Sequence, residues 1–96
     1  MVKRLESAEI DNFLSGIDGW ATVSGREAIE KKFQFKNFKQ AFAFMTQVAM
    51  RAEQLQHHPE WFNVYNRVDV VLATHDCDGL SELDFKMAKF MNKIAA

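Results

Sequence analysis

The sequence predicts an α+β fold: a four-stranded antiparallel sheet with helices packed on one face, in the order α-β-β-α-β-β-α. Three observations lead to it. Apolar residues recur at helical spacing in three stretches. Two further stretches alternate in polarity and carry turn residues, as hairpins do. The longest helical stretch lies between the two hairpins, an order that suggests an α+β domain. The chain has 96 residues, which allows one small domain spanning 1–96.

In the first helical stretch Ile10, Phe13, Leu14 and Ile17 share a face. Ser7 is the expected N-cap, Glu9 and Asp11 suit the positive first turn, and Gly16 or Gly19 is the expected end. GWATVSGREAIEKKFQF then reads as a hairpin turning at Ser24-Gly25. Ile29, Phe33 and Phe35 lie on one side of its second strand, with Lys31 interrupting them.

Asn37-x-x-Gln40 resembles a capping box and opens a helix over residues 38–56. On a helical wheel Phe38, Ala41, Phe42, Met45, Ala49 and Ala52 form one stripe, which Phe44, Val48 and Leu55 extend sideways. The apolar arc spans about 160°, wider than the ~100° that one core face requires. Such a helix is either deeply buried or serves a core and a subunit interface together. Two strands follow, 60–66 and 67–75, turning at Tyr65, Asn66 and Arg67. Trp61 and Tyr65 on one side, with Phe62 and Val64 on the other, make the first strand apolar on both faces. The second face is therefore expected to meet a partner or to line a pocket. Ser81-x-x-Asp84 caps a last helix whose stripe is Leu83, Met87, Phe90 and Ile94.

Composition excludes several classes. Hydrophobic residues make up 48% of the chain, including nine Phe and two Trp, so a core needs no covalent staples. A net charge of -1 and the absence of a basic stripe argue against direct binding of nucleic acid. The single cysteine, Cys77, forms no intramolecular disulfide and suits a reducing compartment. The N-terminus turns polar too early for a signal peptide, and AFAFMTQVAM is about half the length of a membrane span. A cytoplasmic protein without membrane association is expected.

The chemistry concentrates in three histidines, His57, His58 and His75. Imidazole titrates near neutrality and suits general acid–base work. In a hairpin turning near residues 66 and 67, His58 falls opposite His75, with directly opposed Cβ atoms ~5 Å apart. A lone histidine is more often a surface residue or a helix C-terminal cation. Three meeting at one hairpin mouth suggest a site. Zinc is the weaker alternative, because adjacent histidines are not a usual ligand spacing and no Cys-x-x-Cys accompanies them. Nothing in the sequence activates Cys77 as a nucleophile. Asp84 could complete the Ser81 cap or face the histidines, and Glu53, one turn before His57, could orient an imidazole.

The run His57-His58-Pro59, Trp61, Tyr65-Asn66, Val68, Thr74-His75, Gly79-Leu80, Asp84 and Ala88 resembles the pterin-4a-carbinolamine dehydratase family. The likeness extends from Gly19-Trp20 through the last helix. HHPEWFNVYN is similar to the animal form, also known as the dimerization cofactor of a hepatocyte nuclear factor homeodomain protein. Asp78-Gly79 stands where many members have Gly-Gly, Ser81 where Thr is frequent and Met87 where Leu is frequent. The resemblance implies dehydration of 4a-hydroxy-tetrahydrobiopterin to quinonoid dihydrobiopterin with no metal or organic cofactor. It implies catalytic roles for His57, His58 and His75, and pterin binding by His57, His58, Pro59, Thr74, His75, Asp76 and Cys77, with Trp20 and Asp84 nearby. Trp20 or Trp61 is the expected stacking wall. It also implies a dimer or tetramer built through the long helix, which fits the wide apolar arc containing Phe44, Val48 and Leu55, a second role as a homeodomain coactivator using that surface, and partial nuclear location.

Overall fold

The alternating and helical stretches resolve into seven elements in the expected order, described for residues 2–96 by a computed structural model. Helix α1 (Ser7–Leu14) precedes strands β1 (Ala21–Thr22) and β2 (Ile29–Gln34). Helix α2 (Phe38–Leu55) leads to strands β3 (Glu60–Val64) and β4 (Arg67–Leu72), a 3-10 turn at His75–Cys77 and helix α3 (Glu82–Ala95). The strands form one antiparallel sheet in the order β1-β2-β4-β3. The central strand β4 aligns Val68 with Phe33 and Leu72 with Ile29.

Period-two alternation sends Val68, Val70 and Leu72 to one face, where each is essentially inaccessible. There they join Ile29, Phe33, four residues of α2 (Ala41, Phe44, Val48, Ala52) and α3 residues including Phe85, Met87 and Met91 in one core. The other face carries Glu30, Lys32, Phe62 and Val64, all exposed. The helices thus lie on one side of the sheet. Phe44 of α2 sits with ring centroids 4.8 Å from Phe33 and 4.9 Å from Phe35, which ties α2 to the first hairpin. Such aromatic pairs add ~0.5–1.5 kcal/mol each beyond their buried area.

Lys31, the residue that interrupts the apolar side of β2, keeps its stem on the core and its ammonium outside it. Its Nζ donates to Asp18 O at 3.0 Å and to Asn92 Oδ1 at 2.8 Å, and lies 4.7 Å from the centre of the Phe33 ring. Burial lowers its pKa. The stem passes over Gly19, at φ +83°, where an added Cβ would come within 2.8 Å of Lys31 Cε.

Several local expectations change. The N-cap of α1 is Glu6 rather than Ser7, because Glu9 reaches back to the Glu6 N–H at 3.0 Å and sets the box one residue earlier. The helix ends at Leu14 with Ser15 as its cap, before either glycine. On α2 the buried face is rotated toward the side extension of the apolar arc, so the expected core stripe is split. Ala41, Phe44, Val48 and Ala52 are buried, whereas Phe38, Phe42 and Met50 are 46%, 54% and 55% exposed. Phe44 and Val48 are therefore core residues, and the outward stripe runs through Phe38 and Phe42. In the second hairpin Tyr65, at φ +49°, and Asn66 form the turn, and Val64 pairs with Arg67. Glu60 pairs with Val71, so the register carried two residues further sets Ala73, not His75, across from His58. β4 ends at Leu72 because Thr74 turns to bridge Gly79, its N–H donating to Gly79 O at 2.7 Å.

Candidate active site

Successive side chains of an extended chain point to opposite sides, and His57 and His58 separate for that reason. α2 stops because Gln56 adopts a left-handed conformation, φ +53°, and the His57 N–H donates to Ala52 O at 2.9 Å. This six-to-one bond is the Schellman closure. The helix is thus ended by its own backbone, ahead of Pro59.

His57 turns inward. Its Nε2 lies 2.6 Å from Asp84 Oδ1, with both side chains buried. Asp84 Oδ2 accepts from Thr74 Oγ1 at 2.7 Å and from the Ser81 N–H at 3.0 Å. Thr74 Oγ1 and Ser81 Oγ are 2.6 Å apart. A hydroxyl has one proton, and that of Thr74 is committed to Asp84, so Ser81 donates in this pair. Ser81 Oγ in turn accepts the Leu83 N–H at 3.3 Å. Asp84 therefore performs both jobs foreseen for it: it caps α3 and it holds a histidine. Both Asp84 oxygens, the Thr74 and Ser81 hydroxyls and His57 Nε2 each have a partner, which favours one arrangement of the network.

His58 turns outward. Its Nε2 lies 2.5 Å from Glu53 Oε2, one turn earlier on α2. Both side chains are largely exposed, so the pair adds little to stability. It does set the ring's orientation and leaves Nδ1 for other contacts. His75 opens the 3-10 turn and is also exposed. Although not paired across the hairpin, His58 and His75 line the same cleft, about 250 Å³ in volume. Arg26, Glu27 and Glu60 complete one side of it, and Ala73, Thr74, Asp78 and Gly79 the other.

Two ion pairs frame this cleft. Behind it, Arg4 Nε donates to Glu27 Oε1 at 3.2 Å while Nη2 engages Oε2. The Arg4 guanidinium holds the Glu27 carboxyl below the usual carboxylate range. A Cβ on Gly79 would come 2.7 Å from Arg4 Nε and 2.8 Å from Glu27 Oε1, so the pair rests on bare backbone. The Leu5 N–H donates to Leu80 O at 2.8 Å, and the N-terminal segment thereby straps the wall that carries Thr74 to Gly79. At the front, Arg26 donates to both carboxylate oxygens of Glu60, with Nη1 2.8 Å from Oε1.

Other residues singled out in the sequence lie elsewhere. Trp20 is buried in the core and donates from Nε1 to Asn92 Oδ1 at 3.1 Å. Trp61 packs half-buried against the same core. Neither lines the cleft, nor do Pro59, Asp76, Cys77, His57 or Asp84. Cys77 Sγ lies 3.7 Å from Thr74 O and 3.9 Å from Leu80 O. Burial, and secondarily the charge of Asp84, push its thiol pKa up, away from nucleophilic use. Among the described residues no three His, Cys, Asp or Glu side chains converge as metal ligands would.

Comparison with known proteins assigns the chain. Residues 3–94 match the family model described as pterin 4 alpha carbinolamine dehydratase. The chain belongs to that family. It is 58% identical to a protein of Rhizobium leguminosarum bv. trifolii, over 99% of this chain and 94% of the relative, and 59% identical to one of Brucella ovis, over 96% and 95%. Both bear the name pterin-4-alpha-carbinolamine dehydratase provisionally. The crystal structure of a transcriptional coactivator/pterin dehydratase from Brucella melitensis superposes with a TM-score of 0.96, at 57% identity, over 98% of this chain and 100% of the other. A pterin dehydratase-like RuBisCO assembly factor of the alpha-carboxysome shares the fold at a TM-score of 0.71 and 22% identity, over 81% of this chain and 90% of that one.

For a pterin dehydratase fold, the charged cleft residues that the sequence did not reveal are Arg26, Glu27, Glu60 and Asp78. All four are charged residues beside turns or strand ends, which composition alone reads as solvated surface. Arg26 and Glu60 are 34 residues apart, and only the sheet order β1-β2-β4-β3 brings their ends of the sheet together.

Proposed function

We propose that this chain dehydrates 4a-hydroxy-tetrahydrobiopterin to quinonoid dihydrobiopterin, with His58 and His75 exchanging the protons. The observation that supports this most is the meeting of two exposed imidazoles in one 250 Å³ cleft, in a chain of this family. In the reaction the C4a–O bond breaks, and the leaving hydroxyl takes a proton to depart as water. The ring N5 gives up its proton, and its electron pair closes the N5=C4a bond. One acid and one base suffice, and imidazoles supply both near neutral pH. Glu53 fixes His58 at Nε2, so Nδ1 is the nitrogen that meets substrate. His57, buried on Asp84, acts as a positioning residue: it fixes the chain that presents His58, while Thr74 in the same network fixes the start of the turn that presents His75. No cofactor enters the scheme.

The test is the dehydration rate of freshly generated 4a-hydroxy-tetrahydropterin with intact protein and with His75→Ala. Acceleration by the intact protein that is lost in a folded His75→Ala variant supports the reading. No acceleration by the intact protein overturns it.

The outward stripe of α2 favours a second role. Phe38, Phe42 and Met50 are about half exposed on one helix, more apolar surface than a lone helix face needs. We propose that this stripe forms a dimer or tetramer, and that it is the surface a homeodomain transcription factor would share. That role would place part of the protein in the nucleus and the dehydratase in the cytoplasm.

A further inference from the structure

A pterin offers a planar pyrimidinone ring, and sites for planar heterocycles usually supply a flat wall. The aromatic rings that line this cleft are the imidazoles of His58 and His75, which the proton transfers occupy, while Trp20 and Trp61 are committed to the core. One further planar group lines it and has no part in the proton transfers, the Arg26 guanidinium. Arg26 stands in the β1–β2 connection just after Gly25, whose φ of +77° shapes the turn. It lies against Glu60, the first residue of edge strand β3, through two parallel hydrogen bonds. Such fork-to-fork pairing favours a shared plane and restrains the guanidinium in orientation as well as position. A guanidinium presents its face to π systems, which a lysine ammonium cannot imitate.

We propose that the Arg26 plane, held by Glu60, is the stacking platform for the pyrimidinone ring of the pterin. The inference rests on the dehydratase reading and adds a residue to it. Charge supports the assignment. Departure of hydroxide builds positive charge on the pterin, and an isolated arginine stacked there would oppose it. The Arg26–Glu60 pair is neutral as a unit, so it offers a flat surface with little net field. Its contribution is then equal in ground and transition states, which lowers KM and leaves kcat alone. Side-chain exposures of 47% for Arg26 and 58% for Glu60 leave the pair open to a ligand.

The experiment uses full-length protein with Arg26→Lys, Arg26→Ala and Glu60→Gln, folding checked by circular dichroism. Oxidised biopterin, which is planar and fluorescent, serves as the binding probe alongside KM and kcat for dehydration. Arg26→Lys and Arg26→Ala should each weaken biopterin binding and raise KM about fivefold to tenfold, with kcat within twofold. Glu60→Gln should move both in the same direction by less. Binding by Arg26→Lys equal to that of the unmodified chain overturns the platform, as does a fall in kcat with KM unchanged. If the variants bind and turn over normally while His75→Ala does not, the platform falls and the dehydratase reading stands. If the unmodified chain neither binds biopterin nor accelerates dehydration, both fall.

Discussion

Replacing Asp84 probes the buried network that positions both halves of the cleft, and two substitutions separate its shape from its charge. Asp84 is fully buried and receives Thr74 Oγ1–H, the Ser81 N–H and His57 Nε2 at 2.7, 3.0 and 2.6 Å. Asp84→Ala removes all three contacts and leaves His57 buried without a partner. Breaking one side of a buried pair costs about 3–5 kcal/mol. Asp84→Asn keeps the shape and one acceptor for Thr74 and Ser81. Its amide nitrogen then faces His57 Nε2, which accepts once the imidazole proton moves to Nδ1. What is lost is the charge assistance, about 1–2 kcal/mol in all. For a domain of this size 1 kcal/mol moves Tm by about 4–8 °C, so Asn should lower Tm by ~10 °C and Ala by ~15–30 °C. Urea titration at fixed protein concentration, with the m-value unchanged, reads the same order. An Asn variant as unstable as Ala, or an Ala variant within about 1 kcal/mol of the parent, would refute the network as drawn.

Three further outcomes follow from the geometry. Phe42→Asp should keep the fold and lower the mass seen by light scattering, whereas Phe44→Asp should unfold the chain, since Phe44 is 3% exposed among Phe33 and Phe35; unchanged mass in a folded Phe42→Asp counts against the α2 interface. The Glu27 pKa is depressed by Arg4, so its contribution is present above the ordinary carboxylate value and is lost as pH falls through the lowered one. The Tm difference between the parent and Arg4→Met should therefore shrink as pH drops from about 6 to about 3, and a constant difference would contradict this. Cys77, with its thiol pKa raised by burial, should react with iodoacetamide at pH 7.5 more slowly than a free cysteine, and rapid labelling of folded protein would contradict the packing described.

The seven helices and strands were legible in the sequence, though not the 3-10 turn at His75–Cys77, because alternation and helical period survive in those stretches and the caps at Asn37 and Ser81 are local signals. It erred where the deciding fact was not local. On α2 both halves of the arc are apolar, and a wheel does not show which half the sheet covers. The register slipped because Tyr65 turns the chain one residue earlier than expected, and a slip of two residues keeps every side chain on its own face. His58 and His75 share one cleft, but period two divides the adjacent pair and turns His57 to the core side. That division was readable in the sequence: His57 shares parity with Trp61, and His58 with Glu60 and Phe62. The Arg26–Glu60 and Arg4–Glu27 pairs were not readable, since each joins distant segments through the tertiary fold.

The most direct measurement is a double-mutant cycle on dehydration kcat for His58 and His75, with His58→Ala, His75→Ala, the double variant and the parent. The account predicts that each single change lowers kcat by about 10²–10⁴ and that the double change loses much less than the product, because both groups serve one reaction step. Single variants with the parent's kcat, or losses that multiply as for independent sites, would contradict it.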